Sequence, residues 1–182
     1  MSLKEKVVRF FRRTMSDEEW LAEERKRVKD VWWSNYNSRD LCFYYSRYFD
    51  EWWDPDRFDW ENKSWALSDY CSKHFDKWWD PDKFNQSTFN FLAQECSEHF
   101  DKWWDPAKFN WDYSWTLAAG CSSHFDKWWD PDKYDWVFFD NLESYCSSKF
   151  TDEQLKQLMM HRNAVARTFA KRELDRRKNG NC

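Results

Sequence analysis

The chain has 182 residues, a formal net charge of −4 and an aromatic content of 22%, including 16 Trp and 16 Phe. Its length is typical of one folded domain with a core rather than of two independent domains. A charged fraction of 34% with few aliphatic residues usually indicates disorder. That class is excluded here, because each buried aromatic side chain removes about 150–250 Å² from water and a few per repeat can offset chain entropy.

Charge is distributed unevenly along the sequence. Residues 1–30 carry a net charge of +2, residues 31–150 carry −10 and residues 151–182 carry +4. Because phosphate binding needs a positive surface, the acidic middle disfavours nucleic acid lying along it. No apolar stretch reaches the roughly 18 residues of a transmembrane helix, and the first residues lack the apolar core of a signal peptide. We therefore expect a cytoplasmic protein.

The amino-terminal region, residues 1–37, is predicted to be a helical cap. Its basic segment Met1–Arg13 also contains apolar residues, and we expect a packing helix there, with docking on a membrane or a protein as the alternative. The pattern SDEE at Ser16–Glu19 is a capping box that starts a helix running towards Trp32. The pattern WWSN at Trp32–Asn35 resembles a degenerate copy of the repeat that follows.

Residues 38–150 consist of tandem repeats of about 25 residues. Repetition at this period is typical of short helical units that share a core with their neighbours. Four segments align on a Trp-Trp-Asp-Pro core, and the first step between them is one residue longer than the next two. The segments are Tyr48–Trp60, His74–Gln86, His99–Trp111 and His124–Trp136. A last half copy, Leu142–Phe150, breaks off before its own doublet.

One unit, Ser64–Asn85, predicts three short helical pieces. The first carries apolar residues at helical spacing. Ser72 is expected to cap the start of the second piece. Proline disfavours helical geometry in the residue before it, so the second piece is expected to stop at Trp79. Asp80 then caps a third short turn, which opens with the proline and carries Phe84 inward.

Each tryptophan doublet places two rings about 100° apart on a helix, so the rings cannot serve the same interface. We expect one ring to pack within its own repeat and the other to pack against the next. The fold class predicted is all-α, a solenoid of short helical repeats closed by amino- and carboxy-terminal capping helices. The predicted repeat core consists of Trp52, Trp53, Trp78, Trp79, Trp103, Trp104, Trp128, Trp129, Leu67, Leu92, Leu117 and Leu142.

Residues 151–182 are predicted to form an amphipathic, basic capping helix. The pattern TDEQ at Thr151–Gln154 is a second capping box and is expected to open one long helix. Its predicted apolar stripe consists of Leu155, Leu158, Met159, Val165 and Phe169. Its polar side forms a candidate basic patch of Arg162, Arg167, Lys171, Arg172, Arg176 and Arg177.

The motif Trp-Trp-Asp-Pro-x-[Lys/Arg]-[Phe/Tyr] recurs across residues 32–150. In this motif and period the chain resembles the tryptophan-rich repeats of similar length in uncharacterised proteins of phages, other viruses and microbes. In style it is also similar to leucine-rich variant repeats, with Trp in place of Leu. The second resemblance implies a curved solenoid and nothing more. The first implies a viral origin with action on a host protein, and neither implies a catalytic residue.

The sharpest chemical candidate is a Cys-x-x-His pattern that recurs at Cys71/His74, Cys96/His99 and Cys121/His124. A thiolate and an imidazole at this spacing can share a metal ion, but each copy offers two ligands where zinc takes three or four. We expect buried thiols beside half-exposed imidazoles, with metal binding as an alternative. Residues copied with the core argue against catalysis, and two glycines exclude glycine-rich phosphate loops. The prediction is a non-enzyme without a cofactor.

The residues that determine which partner binds are expected at positions that vary between repeats, or along a strip of charged residues that recur in each repeat. The variable helix positions include Ser68, Ala93 and Ala118. The candidate partner face consists of Lys73, Glu98, Ser123, Asp69, Gln94, Lys77, Lys102 and Lys127. We favour a structural interpretation of the Asp-Lys steps, in which Asp and Lys of neighbouring repeats form surface ion pairs. The leading hypothesis is a scaffold that binds another protein, and the alternative is nucleic-acid binding through the basic patch.

Overall fold

A computed structural model describes residues 16–180, without the side chain of Asp17, so the prediction for Met1–Arg13 lies outside the described residues. Within the described range, every regular element is helical and none is a strand. The predicted all-α fold of helical repeats is confirmed. None of these described helices is long and apolar enough to cross a membrane. The helices group into two compact units that divide between Trp78 and Trp79.

Unit 1 contains the amino-terminal helix and the first two repeats. Each repeat consists of a first helix, a 3-10 turn and a one-turn helix. The elements are α1 (Asp17–Asn35), α2 (Ser38–Tyr45), the 3-10 turn Ser46–Tyr48, α3 (Phe49–Trp52), α4 (Trp60–Cys71), the 3-10 turn Ser72–His74 and α5 (Phe75–Trp78).

Unit 2 continues the same pattern and ends in two capping helices. Its first helices are α6 (Phe89–Glu95), α8 (Ser114–Gly120) and α10 (Phe139–Cys146), and its one-turn helices are α7 (Phe100–Trp103) and α9 (Phe125–Trp128). The 3-10 turns are Gln86–Thr88, Ser97–His99, Trp111–Tyr113, Ser122–His124, Trp136–Phe138 and Ser147–Lys149. The capping helices are α11 (Asp152–Leu158) and α12 (Ala164–Lys178).

The predicted amino-terminal capping box is confirmed. The Ser16 side chain accepts a hydrogen bond from the Glu19 backbone N–H, and the Glu19 carboxylate accepts one from the Ser16 N–H. Helix α1 then continues through Trp32 and ends at Asn35. Residues 32–35 are therefore the last turn of a helix and do not form the Asp-Pro turn of a repeat.

The start and end of the one-turn helices differ from the prediction. Ser72 does not cap the second piece, because a 3-10 turn begins there and Cys71 holds the cap position without a side-chain bond. The one-turn helices also end at the first tryptophan of the doublet. The second tryptophan already has an extended backbone, with ψ of 122° at Trp53, 119° at Trp104 and 117° at Trp129. This extension moves the second indole off the helix.

The Asp-Pro turn after each doublet forms as predicted. Asp80 Oδ1 accepts the backbone N–H of Asp82 at 3.0 Å, and the Asp80 carbonyl accepts the N–H of Phe84 at 2.9 Å. Phe84 is 3% exposed. The aspartate that proline forces out of the helix therefore organises the turn that buries the next aromatic ring.

The first step between doublets is one residue longer than the later steps, and the cause is local. Trp60 and Leu67 are seven residues apart, whereas Trp111 and Leu117 are six apart. Where the spacing is six, the first helix opens with a separate 3-10 turn, and where it is seven, α4 is one continuous α-helix of 12 residues. An α-helical turn contains more residues than a 3-10 turn, so the change of helix type accommodates the additional residue.

The prediction of one long carboxy-terminal helix is wrong. The second capping box is present at Thr151, but α11 ends at Leu158 and a new helix starts after Asn163. The Asn163 side chain accepts the backbone N–H groups of two residues in the new first turn, which caps that helix separately. Because the break rotates the apolar stripe, Met159 and Val165 are 40% and 38% exposed.

The first ring of each doublet is the centre of its repeat. These rings are between 0% and 2% exposed, and each indole N–H donates to the backbone carbonyl seven residues earlier. The donor–acceptor distances are 2.9 Å at Trp52, 2.8 Å at Trp78, 2.9 Å at Trp103 and 2.8 Å at Trp128. The bond satisfies the only polar atom of a buried indole and fixes the one-turn helix to its own first helix.

The second ring of each doublet reaches the next repeat, as predicted. Trp104 stacks on Phe100 at 5.2 Å, and the other face of Phe100 stacks on His124 of the following repeat at 4.6 Å and 6°. Trp104 also meets Trp111, which opens the following repeat, at 6.0 Å. Unit 1 repeats this stack of indole, phenyl and imidazole with Trp53, Phe49 and His74. The stacked rings join consecutive repeats within each unit.

Candidate protein-interaction surface

The predicted core residues are not available to a partner. Leu67, Leu92, Leu117 and Leu142 are each 0% exposed. The first tryptophans are buried, and the second tryptophans, Trp53, Trp79, Trp104 and Trp129, are half-buried. Recognition therefore depends on the side chains around this core.

Most of the candidate partner face is exposed. Lys73, Glu98 and Ser123 lie exposed on 3-10 turns, Gln94 is exposed near the end of a first helix, and Asp69 is half-buried. Lys77, Lys102 and Lys127 are exposed on or beside the one-turn helices. The variable positions Ser68, Ala93 and Ala118 are each 0% exposed, so the expectation that they contact a partner is wrong. Their small side chains lie where first helices pack closely.

Two lysines of this face form ion pairs with the preceding repeat. Lys77 Nζ lies 2.6 Å from Asp50 Oδ1, and Lys127 pairs in the same way with Asp101. Hydrogen bonding to the ammonium groups lowers the pKa of Asp50 and of Asp101 below the usual aspartate value. The structural interpretation is confirmed for these two steps, which leaves the varying 3-10 turns as the better part of this face for specificity.

The candidate basic patch is largely neutralised by the protein itself. Arg172 pairs with Glu143, and Arg167 donates to the backbone carbonyls of His161 and Arg162 at 2.7 and 2.9 Å. The remaining exposed cations are Lys171 and Arg162, whose side chain is 80% exposed and lies 3.9 Å from Asp132.

Glu173 is the centre of the remaining part of the patch. It is 4% exposed and accepts hydrogen bonds from Arg176 at 2.8 Å and Arg177 at 2.9 Å. Burial raises the pKa of Glu173, but the hydrogen bonds and charges of the two guanidinium groups outweigh burial and lower it overall. Arg177 also reaches Asp152 at 2.8 Å and the Ser147 carbonyl at 2.9 Å. This network fastens α12 to the start of α11.

Replacing Glu173 with glutamine is expected to destabilise unit 2 by about 1–2 kcal/mol near neutral pH, because it removes a charged acceptor from a buried network. A carboxyl whose pKa is lowered by folding stabilises the protein above its unfolded pKa, and that contribution disappears as pH falls through the folded value. The difference between wild type and Glu173→Gln should therefore shrink below pH 4.5, the ordinary glutamate pKa. Urea denaturation at a series of pH values measures it, and a constant difference would contradict the assignment.

The Cys-x-x-His pairs take separate structural roles. Cys121 Sγ lies 3.3 Å from the Ala93 carbonyl oxygen of the preceding repeat, and burial raises the pKa of this thiol to about 12. The His124 ring stacks flat on Phe100. Across residues 16–180, no group of three or more His, Cys, Asp or Glu side chains is arranged to hold a metal ion. Buried thiols of this kind are poor nucleophiles because the thiolate is disfavoured.

A group of exposed and half-buried apolar side chains at the starts of α8 and α10 was not predicted from the sequence. Its members, Tyr113, Trp115, Val137 and Phe138, are here called the aromatic face. Val137 is 79% and Tyr113 is 41% exposed, and the half-buried rings of Trp115 and Phe138 meet at 6.3 Å.

No protein-family model, curated protein or solved structure matches the chain.

The aromatic face is held rigidly by local contacts. Val137 N–H donates to Asp135 Oδ1 at 3.0 Å, and the Phe138 carbonyl accepts from Tyr134 at 3.1 Å. The signal for this face in the sequence is a loss of polarity along the repeats, because the position of Val137 is occupied by Ser87 and Asp112 in the two preceding repeats. The change is visible in the aligned repeats, at a position that does not belong to the recurring core.

A polar cleft of about 400 Å³ lies beside the start of α12, and His161 lines it. His161 Nε2 lies 3.2 Å from Asp132 Oδ1, and its Nδ1 accepts the backbone N–H of Asn163 at 3.2 Å. Both ring nitrogens are therefore occupied in holding the loop between the two capping helices. Through these two bonds the imidazole links Asp132 to the start of α12.

Proposed function

We propose that this chain is a non-enzymatic scaffold that binds another protein, and that unit 2 contacts its partner through the aromatic face. The observation that carries the proposal is the exposure of Val137 and Tyr113, 79% and 41%, on helices whose recurring aromatic rings are buried. The exposed valine and tyrosine, together with the paired rings of Trp115 and Phe138, are unfavourable in water. Exposed apolar side chains of this kind are typical of a protein interface.

The shape and chemistry of the aromatic face favour a protein partner. Tyr and Trp supply large contact areas with little loss of side-chain entropy, and they dominate the energetics of protein interfaces. The exposed residues of the 3-10 turns Ser97–His99 and Ser122–His124 differ between repeats, with Glu98 in one and Ser123 in the next. Such differences on a constant core let a repeat protein select one partner.

The alternative, nucleic-acid binding through the basic patch, receives less support. Phosphate contacts need accessible cations, whereas Arg172, Arg176 and Arg177 form ion pairs with acidic residues of the same unit. A salt titration separates the two proposals. Phosphate binding would weaken steeply between low and physiological salt, and docking through an apolar face would weaken much less.

The second alternative, metal binding through Cys-x-x-His, is tested by elemental analysis. Stoichiometric zinc in purified protein would support a metal site, and material without metal would leave the stacking role of the imidazoles. The proposal of a non-enzyme depends on the same residues, because the thiol and imidazole pairs recur in three repeats with the core instead of meeting in one cleft.

The double variant Val137→Glu with Tyr113→Ser is expected to weaken partner binding at least tenfold, because it places a charge and removes a ring in the apolar contact. A photo-crosslinking residue at Val137 first identifies the partner from the native cell extract. The affinity of the purified partner is then measured by titration calorimetry. The matched control is Ala107→Glu, which adds the same charge to an exposed site of unit 2 outside the candidate partner face. A third variant, Ser123→Glu, tests the 3-10 turns of that face.

For this comparison to be valid, all three variants must unfold at the denaturant concentration of wild type. Equal affinity in the aromatic-face variant and wild type would refute binding through this face. A selective loss in Ser123→Glu would place the contact on the 3-10 turns instead.

A further inference from the structure

Helix α1 presents an apolar stripe that the rest of the described part of unit 1 leaves exposed. Leu21, Val28 and Val31 are 53%, 39% and 59% exposed. At 100° per residue these three side chains fall within an arc of about 80°, so they lie on one side of the helix. The helix is attached to the first repeat elsewhere, where Trp33 Nε1 donates to the Trp52 carbonyl at 2.8 Å.

An open groove of about 680 Å³ runs beside this stripe. Helix α1 lines it with Leu21 and Val28 and with the charged residues Glu24, Arg25 and Lys29. The first repeat lines it with Asp50 and Glu51, and Asp50 also pairs with Lys77. Any segment that fits this groove must therefore offer apolar side chains towards α1 and positive charge towards the first repeat. That combination is a specific chemical requirement.

Helix α1 itself satisfies the requirement. Its first half is acidic, with Glu18, Glu19, Glu23 and Glu24, and its second half is mainly basic, with Arg25, Lys26, Arg27 and Lys29. The acidic residue of the second half, Asp30, pairs with Arg57 of the first repeat. Two such helices that lie antiparallel place each acidic half beside a basic half. The same arrangement brings the basic half of one helix towards the acidic wall of the other groove. We propose that α1 is a self-association surface, and that its partner is a second copy of this chain related by a two-fold axis.

The stripe fixes the register of the antiparallel pair. When Leu21 lies opposite Val28 of the second copy, Glu18 falls near Lys29 of that copy on one flank. Glu24, which lies within the arc of the stripe and pairs with Arg27 of its own chain, falls near Arg27 of the second copy. A two-fold axis repeats each contact, so two apolar contacts and four ion pairs of opposite charge form together.

The expected dimer is weak. A helix of 19 residues is about 28 Å long, and an interface between two such helices lies at the small end for specific protein complexes. We expect a dissociation constant on the order of 10 μM. Analytical ultracentrifugation of the full chain over a range of concentrations should show a reversible transition from monomer to dimer.

Charge reversal tests the orientation of the pair. One variant, Glu18→Lys with Glu24→Lys, makes the contacting flanks basic, and the other, Arg27→Glu with Lys29→Glu, makes them acidic. Each variant alone is expected to dimerise at least tenfold more weakly than wild type. An equimolar mixture should recover a dimer, because every pair is again of opposite charge. Damage to folding cannot produce this recovery, so the mixture separates loss of structure from loss of the interface.

Two results would overturn the proposal. The first is a wild-type chain that stays monomeric at concentrations of about 100 μM, tenfold above the expected dissociation constant. The second is failure of the two charge variants to associate when they are mixed. A photo-crosslinking residue at Leu21 identifies another occupant. Crosslinks between two chains support the dimer, whereas crosslinks only to residues 1–15 of the same chain would show that the amino-terminal segment covers the stripe.

Discussion

Replacing Trp103 with alanine is expected to destabilise unit 2 by about 3–5 kcal/mol, enough to unfold a domain of ordinary stability. The ring is 2% exposed and packs against Phe100 and Phe89, so its removal leaves a large cavity. The substitution also removes the indole N–H that donates to the Cys96 carbonyl at 2.9 Å, and this carbonyl also accepts the His99 backbone N–H at 3.0 Å. Equilibrium urea denaturation followed by circular dichroism measures the change.

Two further substitutions divide this effect into its parts. Trp103→Phe keeps most of the apolar ring and loses the hydrogen bond, so it should cost less than the alanine variant. Trp104→Ala removes a half-buried ring and is expected to cost about 2 kcal/mol. Equal costs for Trp103→Ala and Trp104→Ala would contradict the division of labour between the two rings.

A methyl group at Gly120 is expected to destabilise unit 2 by about 3 kcal/mol, near the top of the usual range for an overpacked core. A Cβ atom built on this residue lies 2.0 Å from the Ala93 carbonyl oxygen and 2.9 Å from its carbon. Both atoms belong to the backbone of α6, so neither can rotate away. Helices α6 and α8 would have to separate.

The sign of this prediction makes the measurement decisive. In an exposed helix, alanine in place of glycine stabilises by roughly 1 kcal/mol. A Gly120→Ala variant that gains stability would therefore show that α8 does not approach α6 closely. A second measurement is the rate at which Cys121 reacts with a thiol reagent. Its Sγ bonds to the same Ala93 carbonyl, so separating the helices should expose the thiol and raise the rate.

The repeat architecture is predictable from the sequence because its determinants are local and recur. Proline keeps the residue before it out of the helix, and aspartate organises the following turn. Trp103 and Trp104 take the different positions predicted for them, although Trp104 already has an extended backbone. Capping boxes at Ser16 and Thr151 are equally local and equally correct.

The failures share a different physical origin. The long carboxy-terminal helix is interrupted because Asn163 can cap a new helix. The spacing of apolar residues alone does not show whether one helix continues or a second helix begins. Ser72 loses its capping role because the first helix ends directly in a 3-10 turn. In both cases short-range hydrogen bonding outweighs a pattern of side chains that spans several turns.

The candidate surface is less predictable than the fold. Exposure depends on which neighbours cover a residue, and Ser68 and Ala93 are variable in sequence yet fully buried. Val137 is the reverse case, because its apolar side chain suggests a buried position but is 79% exposed. The recurring core is predictable from the sequence, whereas exposure is hardest to predict where one repeat departs from the others.

The different opening of α4 also shows where the array tolerates changes of length. A continuous α-helical turn in this repeat replaces the separate 3-10 turn of the others. A residue inserted between the opening tryptophan and the core leucine therefore leaves the spacing from that leucine to the next doublet unchanged, as Leu67–Trp78 and Leu117–Trp128 show. Insertions elsewhere would rotate an indole away from its carbonyl partner. Engineered arrays of these units should accept the shorter and the longer unit in any order, provided that the additional residue lies between the opening tryptophan and the core leucine.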